Sequence, residues 1–165
     1  MSKVAIVIPT YNESENLPSV IDSIEKNLKG INFQVIVIDD NSTDGTAVTA
    51  QKLNRRYGNI TVYQRPKKKG LGSAIRKGME IALSSKNTAY IVTLDADLQH
   101  NPREIKRLLE EAEDADLVIG SRYTKGGKTV GWNGLRKLMS TLANAVCRLL
   151  FRTSLNDYTT NFRVY

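Results

Sequence analysis

The chain has 165 residues, 41% of them hydrophobic and 25% charged, which suits one globular domain with its own core and excludes a disordered or fibrous polymer. A single cysteine, Cys147, rules out an intramolecular disulfide, and a single histidine, His100, rules out a His–Cys zinc cluster or a Ser-His-Asp triad elsewhere. The net charge of +7 lies in the last third: between Leu117 and Tyr165 eight lysines and arginines face one acid, Asp157, while the first 116 residues balance.

Met1-Ser2-Lys3 runs straight into Val4-Ala5-Ile6-Val7-Ile8-Pro9, an apolar run closed by proline, as expected of a buried parallel strand. With neither a secretory leader nor an apolar stretch long enough to span a bilayer, the chain reads as cytoplasmic. Asn12, with Glu15 three residues on, has the spacing of a capping box. Leu17, Val20, Ile21, Ile24 and Leu28 keep helical spacing up to Gly30. Phe33–Ile38 reads as a second buried strand ending in Asp39-Asp40-Asn41-Ser42-Thr43-Asp44-Gly45, and a helix follows to about Tyr57. Ile60–Tyr63 is a short third strand. Pro66–Gly72 is a basic, glycine-containing loop leading to a helix over 74–83.

The run Ala89-Tyr90-Ile91-Val92-Thr93-Leu94 is rich in β-branched and aromatic residues and reads as a strand that ends in Asp95-Ala96-Asp97-Leu98-Gln99-His100. Asn101, Pro102 and Glu104 open the next helix as N-cap, first-turn proline and first-turn acid. Residues 116–120 suggest a fifth strand and 124–134 a glycine-rich loop. Leu135, Leu138, Met139, Leu142, Val146 and Leu149 mark a last amphipathic helix, in which Cys147 reads as a small core residue. Residues 159–165 begin like a strand and stop without a turn or cap, so the domain is expected to be incomplete at its C-terminal end. Alternating strands and helices call for an α/β domain with a mostly parallel central sheet flanked by helices. No linker or repeat interrupts residues 1–165, which read as one domain.

In such a sheet, ligands bind at the carboxyl edge of the strands. Asp95 and Asp97 fall there, as do Tyr11, Glu13, Asp39 and Asp40. Two carboxylates about 4 Å apart repel by roughly 4 kcal/mol at an effective dielectric of 20. A divalent cation shared with a diphosphate removes that cost, and the hard oxygens of Asp97 and Gln99 suit Mg2+ or Mn2+. The alternative is a helix-capping Asp pair at the start of a loop. No glycine fingerprint follows the first strand and no P-loop lysine is present, so neither a dinucleotide-binding dehydrogenase nor a P-loop NTPase fits. A tyrosine can stack on a base, and carboxylates can accept hydrogen bonds from a base edge or ribose. The positive last third suits a polyanionic partner, or is simply a solvated basic face. The acid-lined edge and the lack of a nucleic-acid-binding signature argue against nucleic acid.

Taken together, Ile8-Pro9-Thr10-Tyr11-Asn12-Glu13, Val37–Thr46, Lys69–Ala74, Asp95–Pro102, Gly120-Ser121-Arg122-Tyr123 and Lys125-Gly126-Gly127 resemble a family 2 glycosyltransferase with a GT-A, Rossmann-like fold. Leu98-Gln99-His100 and Gly120–Tyr123 narrow the likeness to the dolichol-phosphate mannosyltransferase (polyprenyl-phosphate mannose synthase) group. The resemblance implies metal-dependent, inverting transfer of a sugar, mannose from GDP-mannose foremost, to a polyprenyl (dolichyl) phosphate. It implies that Pro9, Tyr11, Glu13, Ile38 and Asp40 line the nucleoside pocket and that Asp95 and Ala96 contact ribose and sugar-phosphate. Asp97 and Gln99 would ligate the metal, Arg122 would contact donor or acceptor phosphates, and Arg136 and Ser140 would receive the acceptor phosphate. Asp95, Asp97, Arg122 and Arg136 are then the catalytic candidates. The resemblance also implies a peripheral place on the cytosolic face of an anionic membrane, with the last helix in the interface or in an ordinary core. Two other readings stay open: a family 2 enzyme using a UDP-sugar and another lipid-phosphate or saccharide acceptor, and a non-catalytic nucleotide-sugar-binding fragment. Asp157-Tyr158-Thr159-Thr160-Asn161-Phe162-Arg163 replaces the group's usual Asp-x-Thr-Ser-Gly-Phe-Arg, a mild change.

Overall fold

A computed structural model of the chain describes residues 3–124, 134–152 and 155–165; the side chains of Arg136 and Lys137 lie outside the described residues. Lys125-Gly126-Gly127 and most of the expected glycine-rich loop also lie outside them. Six strands are described: β1 (Lys3–Thr10), β2 (Phe33–Asp39), β3 (Ile60–Gln64), β4 (Thr88–Thr93), β5 (Val118–Ile119) and β6 (Arg163–Val164). Between them run α1 (Leu17–Asn27), α2 (Thr46–Tyr57), α3 (Leu71–Leu83), a 3-10 turn at Pro102–Glu104 leading into α4 (Ile105–Glu111), and α5 (Gly134–Phe151).

The strands form one sheet in the order β3-β2-β1-β4-β6-β5. β1 pairs in parallel with β2 and β4, and β2 with β3; β6 is antiparallel to both β4 and β5. The mostly parallel sheet expected from the alternation is therefore present. The chain winds outward from β1 through β2 to β3, then crosses back to place β4 on the other side of β1. That reversal opens a crevice beyond the carboxyl ends of β1 and β4, the place where such sheets bind ligands.

Strand periodicity divides the core in two. Val4, Ile6 and Ile8 of β1 face the cluster that contains Leu17, Val20, Ile21 and Ile24 of α1 and Ile105 and Leu108 of α4. Ala5 and Val7 face the other side with Ile36, Ile38 and the α3 residues Ala74 and Ala82. Small residues at helical spacing let α3 approach the sheet closely. A Cβ on Gly78 would stand 2.2 Å from Val7 Cγ1, so the site admits only glycine without a shift of strand or helix.

The structure corrects four local expectations. Helix α1 starts at Leu17, not after Asn12, with Pro18 in its first turn, where a missing N–H costs nothing. Asn12 instead has φ 57° and joins two loops: its Oδ1 accepts from Thr43 N and its N–H donates to Ser42 Oγ. β5 covers only Val118–Ile119, because its partner β6 is just two residues long. Asn101 caps a 3-10 turn through its side chain before α4 begins. Cys147 is half-buried and not a core residue: α5 turns Ser140 and Asn144 inward and leaves Leu135, Leu138, Met139, Leu142, Val146 and Leu149 exposed. No described helix is long and apolar enough to cross a membrane.

Candidate active site

A cavity of about 280 Å3 occupies the crevice at the carboxyl ends of β1 and β4. Its lining includes Pro9 near the end of β1, Tyr11 and Glu13 after it, Asp40 after β2, Lys68 and Gly70 before α3, and Asp95, Ala96 and Asp97 after β4. Seven of the residues implied for the donor thus come together from the ends of three strands, β1, β2 and β4. The other three lie apart. Ile38 is fully buried in the core beneath the cavity, Gln99 is exposed on the turn after Asp97, and Arg122 is engaged with Asp157.

The loops are set by buried or turn-forming acids. Asp39 is fully buried and accepts from Ser42 N and Ser42 Oγ, closing the turn after β2. Asp40 is almost fully buried and pairs with Arg65 at 2.9 Å. Its two oxygens also accept from Lys69 N and Gly70 N, so the carboxylate holds the basic loop over the strand ends. Asp44 fixes the neighbouring turn by accepting from Ser14 N, Thr46 N and Thr46 Oγ1. Slight burial pushes the Asp44 carboxyl up, but these hydrogen bonds outweigh it and hold the group well below the usual carboxylate range.

Tyr11 presents its ring at the cavity with the Lys68 ammonium 3.4 Å from the ring centroid, a cation–π contact that the sequence reading does not anticipate. Its one sequence signal is the run Lys67-Lys68-Lys69 before Gly70. Arg65, which neutralises Asp40, has no such signal.

After β4, Asp97 Oδ1 accepts from Gln99 N, and Leu98 between them takes φ 61°. Among the described residues no three His, Cys, Asp or Glu side chains gather as a metal cage. Asp97 with the Gln99 amide is the kind of sparse oxygen set that Mg2+ or Mn2+ accepts when phosphates complete its shell, so the residues present fit a shared cation and not a closed protein site.

The same loop places His100 in the interior, stacked on Phe162 at 5.3 Å. His100 Nδ1 accepts from Asp95 N at 3.0 Å, which assigns the proton of the neutral ring to Nε2, near Thr160 Oγ1. Burial pushes the imidazole down, against the upward pull of Asp95 and Asp97.

Arg122 and Asp157 make a bidentate pair, Nε to Oδ2 at 2.9 Å and Nη2 to Oδ1 at 3.0 Å. Asp157 also accepts from Arg122 N, Thr159 N, Thr159 Oγ1 and Thr160 N. Burial pushes this carboxyl up, but its bonds from Arg122 and Thr159 and the Arg122 charge bring it below its ordinary value. Ser140, implied for the acceptor phosphate, lies beside this network, bonded to Tyr123 Oη at 2.8 Å and close to Thr159 Oγ1. The Arg136 side chain, implied for the same phosphate, lies outside the described residues, though its backbone belongs to α5.

Comparison with known proteins matches residues 5–165 to the family described as Glycosyl transferase family 2. A dolichol-phosphate mannosyltransferase of Pyrococcus furiosus is 43% identical over 148 residues, 89% of this chain and 41% of that protein. A polyprenol monophosphomannose synthase of Mycolicibacterium smegmatis is 36% identical over 165 residues, 99% of this chain and 61% of that protein. The chain therefore spans about two to three fifths of the length of these relatives. Among solved structures, mannosyl-3-phosphoglycerate synthase from Rubrobacter xylanophilus superposes with a TM-score of 0.70 at 20% identity, covering 99% of this chain and 52% of that one. Glucosyl-3-phosphoglycerate synthase from Mycobacterium tuberculosis, in complex with Mn2+, UDP and glucosyl-3-phosphoglycerate, gives 0.69 at 20% identity, covering 99% and 56%. These structural likenesses establish the fold.

Two outcomes follow from the buried pairs. Arg65→Met leaves Asp40 buried without its cation, so chemical denaturation should show a loss of roughly 3–5 kcal/mol. Asp157→Asn should cost a similar amount at pH 7, since it leaves Arg122 without its anion. The folded Asp157 carboxyl lies below its ordinary value of 3.8, so its contribution is complete above that pH and is lost as pH falls through the folded value. Denaturation followed from pH 7 to pH 2 should therefore show a shallower acid limb in Asp157→Asn than in the wild type.

Proposed function

The chain belongs to glycosyl transferase family 2, and on that premise we propose that its cavity holds the nucleoside diphosphate of a sugar donor, GDP-mannose foremost, for inverting transfer to a polyprenyl phosphate. The observation that carries this reading is the convergence of Tyr11, Asp95 and Asp97 on one cavity at the sheet's switch point. The names of the two curated relatives supply the sugar and the lipid class.

In this reading the base stacks at Tyr11, flanked by Pro9 and Glu13, with the Asp40-held loop forming the far wall. Asp95 and Ala96 take the ribose and the sugar-phosphate. Asp97 and Gln99 hold Mg2+ or Mn2+, which when bound supplies Lewis-acid stabilisation of the leaving diphosphate. Arg122, oriented by Asp157, serves the phosphates by charge-assisted hydrogen bonds. Arg136 and Ser140 on α5 receive the acceptor phosphate. That phosphate is a monoester already ionised at neutral pH, so its oxygen attacks the anomeric carbon without a protein base. The disposition of His100 agrees: its Nδ1 is occupied by the Asp95 N–H, and its ring is buried against Phe162. The exposed apolar row of α5, set among the cations of the last third, supports seating on an anionic membrane surface at the cytosolic face.

Calorimetric titration with GDP and UDP, with and without Mn2+, tests the donor reading. GDP should bind in preference to UDP and only weakly without the metal, and Asp97→Ala should remove the metal dependence. A preference for UDP would move the function to a UDP-sugar transferase. Metal dependence that persists in Asp97→Ala would displace the metal from Asp97.

A further inference from the structure

Residues 157–163 form an arch that leads into β6, and internal bonds tie it together. Asp157 accepts from Thr159 N and Thr160 N at one foot. Phe162 N donates to Thr160 Oγ1, and Arg163 donates from Nε to Thr160 O and from Nη2 to Tyr158 O. At the other foot β6 pairs with β4, Thr93 opposite Arg163, and Thr93 Oγ1 donates to Asn161 O at 2.6 Å. From this anchored position the Asn161 amide donates to Asp95 Oδ1 at 2.8 Å. The Asp95 backbone is held independently by His100, whose ring stacks on Phe162 of the same arch.

We infer that Asn161 is the positioning residue for Asp95: its amide holds Oδ1 while Oδ2 lies 3.8 Å from His100 Nδ1, so the carboxylate keeps one orientation in which to meet hydroxyl groups of a ligand in the cavity. An amide suits this task because it donates without adding charge. A cation in its place would pair with Asp95 and compete with the ligand. A hydrogen bond to a charged acceptor is also strong enough to hold one rotamer against the other staggered wells. The separation of 66 positions between the partners makes this a tertiary device and not a local turn. The inference rests on the donor-site reading above, since Asp95 gains a function only if the cavity takes a nucleotide.

The test compares GDP with its 2′-deoxy and 3′-deoxy analogues by calorimetry at saturating Mn2+, in the wild type, Asn161→Ala and Asn161→Asp, with thermal melts as a control. Asn161→Asp keeps the size of the side chain and replaces the donor with a like charge. The wild type should prefer GDP over at least one deoxy analogue by about tenfold, the equivalent of one hydrogen bond to a charged group. Both variants should lose most of that preference, by weakening GDP and sparing the analogue, with melting temperatures close to the wild type's. Variants that retain the wild-type preference, or weaken all three ligands equally, would overturn the positioning role. A wild type that binds all three alike would also overturn it while leaving the donor site standing. A wild type that binds none would overturn the donor reading itself.

Discussion

A carboxylate buried at the end of β2 governs the shape of the cavity. Asp40 is almost wholly removed from water, and an isolated charge in such a place is too costly to persist. Arg65 and the N–H groups of Lys69 and Gly70 satisfy it, and in doing so they bend residues 65–70 back over the strand ends. Gly70 then leads directly into α3, whose small inward residues let it lie close on Val7 and Ile38. One wall of the cavity, including the lysine that covers Tyr11, therefore depends on a single buried charge being neutralised.

The opposite side uses the same device. Asp157 is fully buried and gathers its donors from Arg122 and from its own following residues, so the segment after β5 and the segment before β6 are locked together. Between these two acids lies the loop after β4, tied to the Asp157 side through Asn161 and His100. A rigid frame on both flanks leaves Asp95 and Asp97 at the rim with defined positions.

Much of this frame is legible in the amino-acid sequence. The β1 and β2 strands are near-continuous apolar runs, and the helices announce themselves by spacing, as Leu17, Val20, Ile21 and Ile24 do. The carboxyl edge follows from topology once the strands alternate with helices, so Tyr11, Asp40, Asp95 and Asp97 could be assigned to one rim. Contacts between distant segments carry no comparable signal. Nothing in the sequence announces that Arg65 meets Asp40, and Asn161 stands out only as a departure from the resembled pattern. Asn12 shows the opposite failure: its spacing to Glu15 satisfies a local rule, but a bond to Thr43 across the site wins. The α5 helix is amphipathic by sequence, yet only the fold shows that the polar Ser140 and Asn144 turn inward.

In the proposed function one cavity at the switch point takes a nucleoside diphosphate. A crystal structure of this chain grown with GDP and Mn2+ tests it most directly. The base should lie against Tyr11, the ribose at Asp95 and the diphosphate beside Asp97 and the cation. Nucleotide bound away from the β1–β4 crevice, for example along the Lys67–Lys69 surface with the cavity empty, would contradict it.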